Sequence, residues 1–227
     1  GKVSYEIVTG FGSVTVPSGM FSGTSLNGEQ VGISIGKADN SKLPDDVKAQ
    51  IGDRPVLDLQ VTSGDQIVDW SNPDAPVTIS TAYEPTAAEL QNPDKIVVWY
   101  IDGQGNAQAV PNGKYDAATG NVTFSTTHFS MYAVVYVDKS FADLANAEWA
   151  RKAIEAMAAR DVVQGTSAEE YSPGLSIKRA DFVLMLMRAL EIGAASTANA
   201  EPFSDVGQDA YYTEALAAAR QLGIVEG

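Results

Sequence analysis

The first part of the chain alternates apolar and polar residues in the way that is typical of β-strands. Between residues 3 and 137, short runs place apolar residues at every second position, as in Val31, Ile33 and Ile35. This alternation is expected of a strand that buries one face and exposes the other. Several such runs in succession, separated by turns, predict an antiparallel β-sandwich over residues 1–137.

Turn-forming sequences separate the predicted strands. Residues 102–106 (Asp-Gly-Gln-Gly-Asn) and 116–121 (Asp-Ala-Ala-Thr-Gly-Asn) contain the Gly and Asn residues that hairpin turns favour, because these residue types adopt positive φ angles at low cost. Residues 96–101 and 131–137 are almost entirely apolar, so we expect central strands there, covered on both faces. For residues 36–53 we expect a loop or a short helix.

The last part of the chain has the apolar spacing of amphipathic helices. Trp149, Ala153 and Met157 are four residues apart, which places them on one face of a helix. A second helix is predicted over about 176–190 and a third over about 209–222. The second helix offers five apolar residues to a core, Ala180, Val183, Leu184, Met187 and Leu190.

The helical part contains an internal repeat. Residues 141–165 align without a gap on residues 203–227, and Phe141, Asp143 and Gly165 meet identical residues there. Repeats of this length usually bury their apolar helix faces only against neighbouring repeats. The alignment therefore implies an array of repeats.

These patterns predict an α+β multidomain chain. The β-sandwich is followed by a first helical repeat over residues 138–193, a linker over 194–202 and a truncated second repeat over 203–227. Because the chain starts directly in strand-like sequence and stops inside a repeat, we expect it to be a piece of a longer protein.

Composition excludes several classes of function. The 227 residues contain no cysteine and one histidine, His128, which excludes disulfides, thiolate metal sites and multi-histidine metal sites. No cofactor or metal is expected.

With 15 Lys and Arg against 29 Asp and Glu, the net charge is −14, so we expect no nucleic-acid-binding surface. No apolar run approaches the roughly 18 residues of a membrane span, and we expect no membrane insertion.

Five short signatures occur in order along the helical part: Phe141-Ala142-Asp143, Trp149-Ala150, Val162-Val163-Gln164-Gly165, Tyr171-Ser172-Pro173 and Ser176-Ile177-Lys178-Arg179-Ala180-Asp181. Together they resemble the S-layer homology repeat. In that family, three repeats form a three-pronged helical body that anchors proteins to the bacterial cell wall by binding a pyruvylated secondary cell-wall polysaccharide. The resemblance implies an extracellular anchoring protein of a Gram-positive bacterium, located at the cell wall or S-layer.

The resemblance also implies a ligand-binding site at the start of the second predicted helix. The threonine-arginine-alanine-glutamate signature of the family falls on Lys178, Arg179, Ala180 and Asp181, so the arginine is kept while lysine and aspartate are departures. A planar guanidinium such as Arg179 can meet the carboxylate of a pyruvate ketal with two parallel hydrogen bonds, and Lys178 adds a point charge. The alternative is that Arg179 only forms a structural pair near the helix start.

Three further residues each have two interpretations. Gly165 permits a tight turn, and the resemblance also places it near the sugar groove. Trp149 is either a core residue or a platform for a sugar ring. Asp143 lies just before a helix, where a carboxylate stabilises free backbone N–H groups, so we expect a capping role for it.

The β half carries a resemblance of its own. Residues 95–102, 110–112 and 128–134 resemble a β module that often precedes S-layer homology repeats. The sequence His128-Phe129-Ser130 is also similar to that of self-cleaving function-to-find domains, in which the bond before the serine breaks by an acyl shift. That similarity implies attack of Ser130 on the Phe129 carbonyl, with His128 or another group as base. Those domains use a histidine well upstream, so the alternative is a plain turn before the last strand.

We therefore expect a non-enzymatic anchoring function, with self-cleavage at Ser130 as the one enzymatic alternative. A carbohydrate-binding or adhesin module in the β half, with aromatic residues such as Trp70 or Tyr83 as an exposed platform, is a further alternative. The sequence does not separate these two residues from core residues. Because the ligand grooves of such arrays lie between repeats and the chain stops before the arginine signature of the second repeat, we expect weak polysaccharide binding by this chain. We also expect self-association through apolar faces that lack a neighbouring repeat.

Overall fold

The computed structural model of the chain describes residues 3–24, 30–192, 203–207 and 209–226. These residues form two compact units, Gly1–Val137 and Asp138–Gly227, which we call the β unit and the helical unit. The predicted linker over 194–202 and the two glycines at 193 and 227 lie outside the described residues.

The β unit consists of two antiparallel sheets, which confirms the predicted β-sandwich. One sheet has the strand order β1-β2-β6-β10-β9, and the other has the order β3-β4-β11-β7-β8 with β5 added to β4. The strands are β1 (Ser4–Thr9), β2 (Gly12–Pro17), β3 (Val31–Lys37), β4 (Val56–Ser63), β5 (Gln66–Val68), β6 (Val77–Ala82), β7 (Ile96–Ile101), β8 (Ala107–Val110), β9 (Lys114–Asp116), β10 (Asn121–Thr126) and β11 (Met131–Tyr136).

The two apolar runs form central strands, as predicted. β7 and β11 pair along their full length, from Met131 opposite Ile101 to Tyr136 opposite Ile96, and each has a further strand on its other side. The segment between β3 and β4 contains the short helix α1 (Asp45–Ile51), which packs against β11. Both predicted turns connect neighbouring strands, β7 to β8 and β9 to β10.

Alternate residues of both sheets form one core, and this core includes two aromatic residues that the sequence left open between a surface platform and the core. Trp70 is completely buried and its Nε1 donates a hydrogen bond to the Met20 carbonyl at 2.9 Å. Tyr83 is also buried and packs edge-on against Tyr115, with ring centroids 6.1 Å apart. The interpretation of Trp70 and Tyr83 as an exposed carbohydrate platform is therefore wrong.

The β unit also buries an ion pair. Glu89 is 3% exposed and its Oε1 lies 2.6 Å from Nη2 of Arg54. Arg54 also donates from Nε to the Tyr83 hydroxyl at 3.1 Å, and the second carboxylate oxygen of Glu89 accepts the backbone N–H of Thr86 at 2.7 Å. Burial raises the pKa of Glu89, but the hydrogen bonds from Thr86, Arg54 and Tyr83 outweigh it, so that this pKa lies below its usual value.

The described residues of the helical unit form a 3-10 helix, Ala142–Ala147, and three α-helices, α2 (Glu148–Ala159), α3 (Arg179–Ala189) and α4 (Thr213–Gln221). One apolar cluster joins the 3-10 helix, α2 and Tyr171. A second cluster joins α3 to α4, so the last helix of the first repeat packs against the first helix of the second repeat. No helix in the described part of the chain is long and apolar enough to cross a membrane.

The buried face of α2 differs from the prediction. Trp149 is 91% exposed and Met157 46% exposed, so the prediction that Trp149 is a core residue is wrong. The position equivalent to Met157 in the second repeat is Ala219, which is completely buried in the cluster that α3 and α4 share. The physical reason is that α4 has α3 packed against it, whereas no described helix covers this face of α2. Leu190, another predicted core residue, is 55% exposed just after the end of α3.

Candidate ligand-binding site

The start of α3 presents two basic side chains to solvent. Lys178 has the extended backbone of a helix N-cap, and Arg179 is the first residue of the helix. The helix is held in place because Val183 and Met187, on its buried face, pack into the cluster shared with α4. Lys178 and Arg179 are both exposed, and no hydrogen bond or ion pair joins either side chain to another of the described residues.

These two cations lie at the edge of an apolar pocket of about 390 Å³. The pocket lies between α3 and the segment that follows α4. Six apolar residues and the two basic residues line it, namely Ile177, Phe182, Val183, Leu186, Ile224 and Val225 with Lys178 and Arg179. A pocket of this kind suits a ligand that combines a negative charge with apolar groups.

Asp181, the third candidate at the start of α3, is engaged within the protein. Its carboxylate Oδ1 accepts a hydrogen bond from the hydroxyl of Tyr211. This hydrogen bond is the main reason that the pKa of Tyr211 is raised, and burial and the negative charge of Asp181 add to it. Tyr211 is the second-repeat equivalent of Trp149, and the alignment alone gave no sign that it contacts the first repeat.

Asp143 does not cap a helix, which corrects the prediction. Its two carboxylate oxygens accept the backbone N–H groups of Tyr171 at 2.9 Å and Ser172 at 2.6 Å. Asp143 is instead the second residue of the 3-10 helix Ala142–Ala147, which has no side-chain cap. The hydrogen bond from the Tyr171 N–H is the main reason that the pKa of Asp143 lies below its usual value; burial opposes this shift, and the hydrogen bond from Ser172 adds to it. Asp143 thus fixes the loop that leads toward α3.

Gly165 lies in a tight turn where no side chain fits. A Cβ atom at this position would lie 2.4 Å from the Glu170 carbonyl oxygen, 2.5 Å from that of Ser167 and 2.6 Å from the Phe141 ring. This contact explains the glycine without a ligand. Neither Gly165 nor Trp149 is among the described residues that line the pocket beside α3, so their assignment to the ligand site stays a prediction.

The residues of the self-cleavage hypothesis lie in the β unit. The ring of His128 packs edge-on against Tyr100, with centroids 4.7 Å apart, and its Nδ1 lies 3.3 Å from the Tyr132 hydroxyl. Burial lowers the pKa of His128, and the negative charge of Asp69 opposes this shift.

The other two residues have partners of their own. Ser130 donates its hydroxyl to the Ile101 carbonyl at 3.3 Å, and the Phe129 ring packs against Trp70 at 4.9 Å. The structure therefore brings His128 to Tyr132, while the Ser130 hydroxyl is held by Ile101. Self-cleavage stays a prediction.

Comparison with known proteins decides the family of the helical unit. The family model described as the S-layer homology domain matches residues 140–183 and 202–227. The chain carries S-layer homology repeats. S-layer homology domains generally bind cell-wall polysaccharides, and the repeats of the helical unit indicate cell-surface anchoring and an extracellular location at the cell wall, as predicted.

Several curated proteins are similar to this chain. An amylopullulanase of Thermoanaerobacterium thermosulfurigenes is 33% identical over 89% of the chain and 10% of the relative. An endo-1,4-beta-xylanase A of Thermoanaerobacterium saccharolyticum is 38% identical over 39% of the chain and 7% of the relative. A surface-layer 125 kDa protein of Lysinibacillus sphaericus is 34% identical over 35% of the chain and 6% of the relative. The chain thus spans a tenth or less of these relatives, and no solved structure matches it.

Proposed function

We propose that the helical unit anchors the protein non-covalently to a pyruvylated secondary cell-wall polysaccharide, and that Lys178 and Arg179 bind the ketal carboxylate. The observation that carries this proposal is the pair of unengaged cations at the edge of the apolar pocket beside α3. A pyruvate ketal presents a carboxylate and a methyl group on one carbon. The carboxylate suits a guanidinium with two parallel donors, and the methyl group suits the apolar wall.

The acidity of the chain does not oppose this binding. The net charge of −14 is spread over 227 residues, and at physiological ionic strength charges more than about 8 Å apart are largely screened. The distant acidic residues of the chain therefore contribute little to the field at the two cations beside the pocket. Because this attraction acts at the surface, we expect binding to weaken as salt is added.

The names of the relatives support an anchoring role for the whole protein. They include a surface-layer protein and the glycan-degrading enzymes amylopullulanase and endo-1,4-beta-xylanase. We infer that the S-layer homology repeats hold a surface enzyme or layer protein at the wall, and that the β unit acts as a non-enzymatic spacer or adaptor.

Co-sedimentation with purified cell-wall sacculi tests the proposal. We would compare the wild-type chain, the Lys178→Gln/Arg179→Gln variant and a version extended by further repeats, before and after removal of the secondary polysaccharide. A Lys139→Gln/Lys152→Gln variant is the matched control, since it removes the same charge from two exposed lysines of the same unit. We expect weak sedimentation of the wild type, stronger sedimentation of the extended form, and loss with the first variant or without polysaccharide. Equal sedimentation of both double variants would contradict the proposal.

A further inference from the structure

Asp181 is an internal competitor for the cations of the proposed site. It follows Lys178 by three residues at the start of α3, and side chains with this spacing are neighbours on a helix surface. A carboxylate at this position is therefore within reach of Lys178, one of the two cations that would bind the carboxylate of a ligand. Yet within the described parts of the chain, no ion pair links Asp181 to Lys178 or Arg179.

The second repeat accounts for this. The Tyr211 hydroxyl donates to Oδ1 of Asp181, although 69% of the Tyr211 residue is exposed. The position of Tyr211 is fixed by its neighbour Tyr212, whose ring lies edge-on at a centroid distance of 4.8 Å and which packs into the cluster between α3 and α4. The hydroxyl is thus presented to Asp181 by the packing of one repeat on the next.

We infer that Tyr211 is a positioning residue of the ligand site, which engages the Asp181 carboxylate and so leaves Lys178 available, beside Arg179, to an anionic ligand. This inference rests on the proposed function. It also assigns a role to the aromatic position of the repeat at the boundary between repeats. Trp149, the equivalent residue in the first repeat, has no hydroxyl and cannot make this contact.

Tyr211→Phe removes only the hydroxyl, and we expect this change to weaken binding of an anionic ligand. The Asp181 carboxylate then becomes free to pair with Lys178, and a ligand carboxylate must displace it. Exposed ion pairs of this kind are worth little, so we expect the dissociation constant to rise about two- to fivefold.

The test is an NMR titration of the full chain with a methyl glycoside that carries a pyruvate ketal, with the ketal methyl ester as the uncharged probe. Tyr212→Phe is the matched control, because it removes a hydroxyl from the adjacent tyrosine. The decisive variant is Tyr211→Phe combined with Asp181→Asn, which removes the competing carboxylate as well. Circular dichroism at the titration temperature establishes that each variant is folded.

We expect weakening by Tyr211→Phe, no change by Tyr212→Phe, and recovery to wild-type affinity or better in the double variant. Recovery separates the two roles, because a merely structural role for the hydrogen bond would leave the double variant as weak as the single one. Wild-type affinity in Tyr211→Phe, or no recovery in the double variant, overturns this inference and leaves the proposed function intact. A wild-type chain that does not respond to the charged glycoside overturns both.

Discussion

Arg54 of the β unit and Arg179 of the helical unit have opposite surroundings. In the β unit, Arg54 donates to Glu89, to Tyr83 and to backbone carbonyls of α1, and its carboxylate partner is almost completely buried. In the helical unit, Arg179 is exposed and no partner for it exists among the residues that the structure describes. Arg54 and Arg179 therefore show that residue type does not decide whether an arginine is available for a ligand. The neighbours that the fold supplies decide it.

The largest predicted effect is a loss of stability when Arg54 loses its carboxylate partner. Glu89→Ala leaves the Arg54 guanidinium without its main partner, and removing one member of a buried pair is strongly destabilising. We expect urea unfolding, followed by circular dichroism, to show the β unit destabilised by about 3 kcal/mol. Asp45→Ala is the control, because Asp45 pairs with Lys48 at 2.8 Å but its side chain is 99% exposed. A loss of more than about 1 kcal/mol there would contradict the distinction.

The next effect concerns the loop that leads to the ligand site. Gly165→Ala forces a methyl group against two carbonyl oxygens and the Phe141 ring, and overpacking of this kind costs about 1–3 kcal/mol. Thermal unfolding of the helical unit measures the loss. Gly174→Ala is the matched control, since no heavy atom outside its chain neighbours lies within 4 Å of its added methyl group. Equal melting temperatures for the two variants would show that the turn at Gly165 is not tight.

For the exposed Arg179, we expect a substitution to change ligand binding without changing stability. Arg179→Gln removes charge-assisted hydrogen bonds to the ligand carboxylate, so we expect the affinity for the pyruvylated glycoside to fall about tenfold. The melting temperature stays at its wild-type value because Arg179 contacts no described partner. The same measurements on Lys152→Gln, an exposed lysine of α2, serve as the control. A lower melting temperature in Arg179→Gln would mean that this arginine is structural, like Arg54.

The smallest effect is a pH dependence of the β unit. The pKa of His128 is lowered from 6.5 by burial, so the unfolded chain binds a proton at a higher pH than the folded chain does. Stability is therefore fully present above about pH 6.5 and is lost as the pH falls through the lowered pKa. We expect urea midpoints that decrease below about pH 6.5 in the wild type and decrease less in His128→Asn. Identical pH profiles for the two proteins would contradict a buried, neutral imidazole.

Local sequence signals predicted those parts of the fold that depend on neighbours along the chain. The apolar runs of β7 and β11 gave central strands, and the glycine and asparagine residues of 102–106 gave a hairpin turn. The cations Lys178 and Arg179 were found because a short signature contains them. Each of these features depends on a few consecutive residues.

The errors arose where a distant segment decides the outcome. Asp143 precedes a helix but binds backbone groups 28 and 29 residues further along the chain. The apolar face of α2 was assigned to a core, although burial of such a face requires a helix packed against it, as α3 packs against α4. The Tyr211 contact with Asp181 spans 30 residues, and no periodicity in the sequence encodes it.

NMR mapping of the binding site tests most directly whether the pocket beside α3 binds the ketal carboxylate. Titration of the isotope-labelled chain with the pyruvylated glycoside should shift the amide signals of residues 177–182 and 224–225, which surround the pocket beside α3, and should leave the β unit, including the Arg54 side chain, unchanged. The methyl ester of the ketal should produce much smaller shifts. Saturable shifts confined to the β unit, or equal shifts with the acid and the ester, would contradict the account.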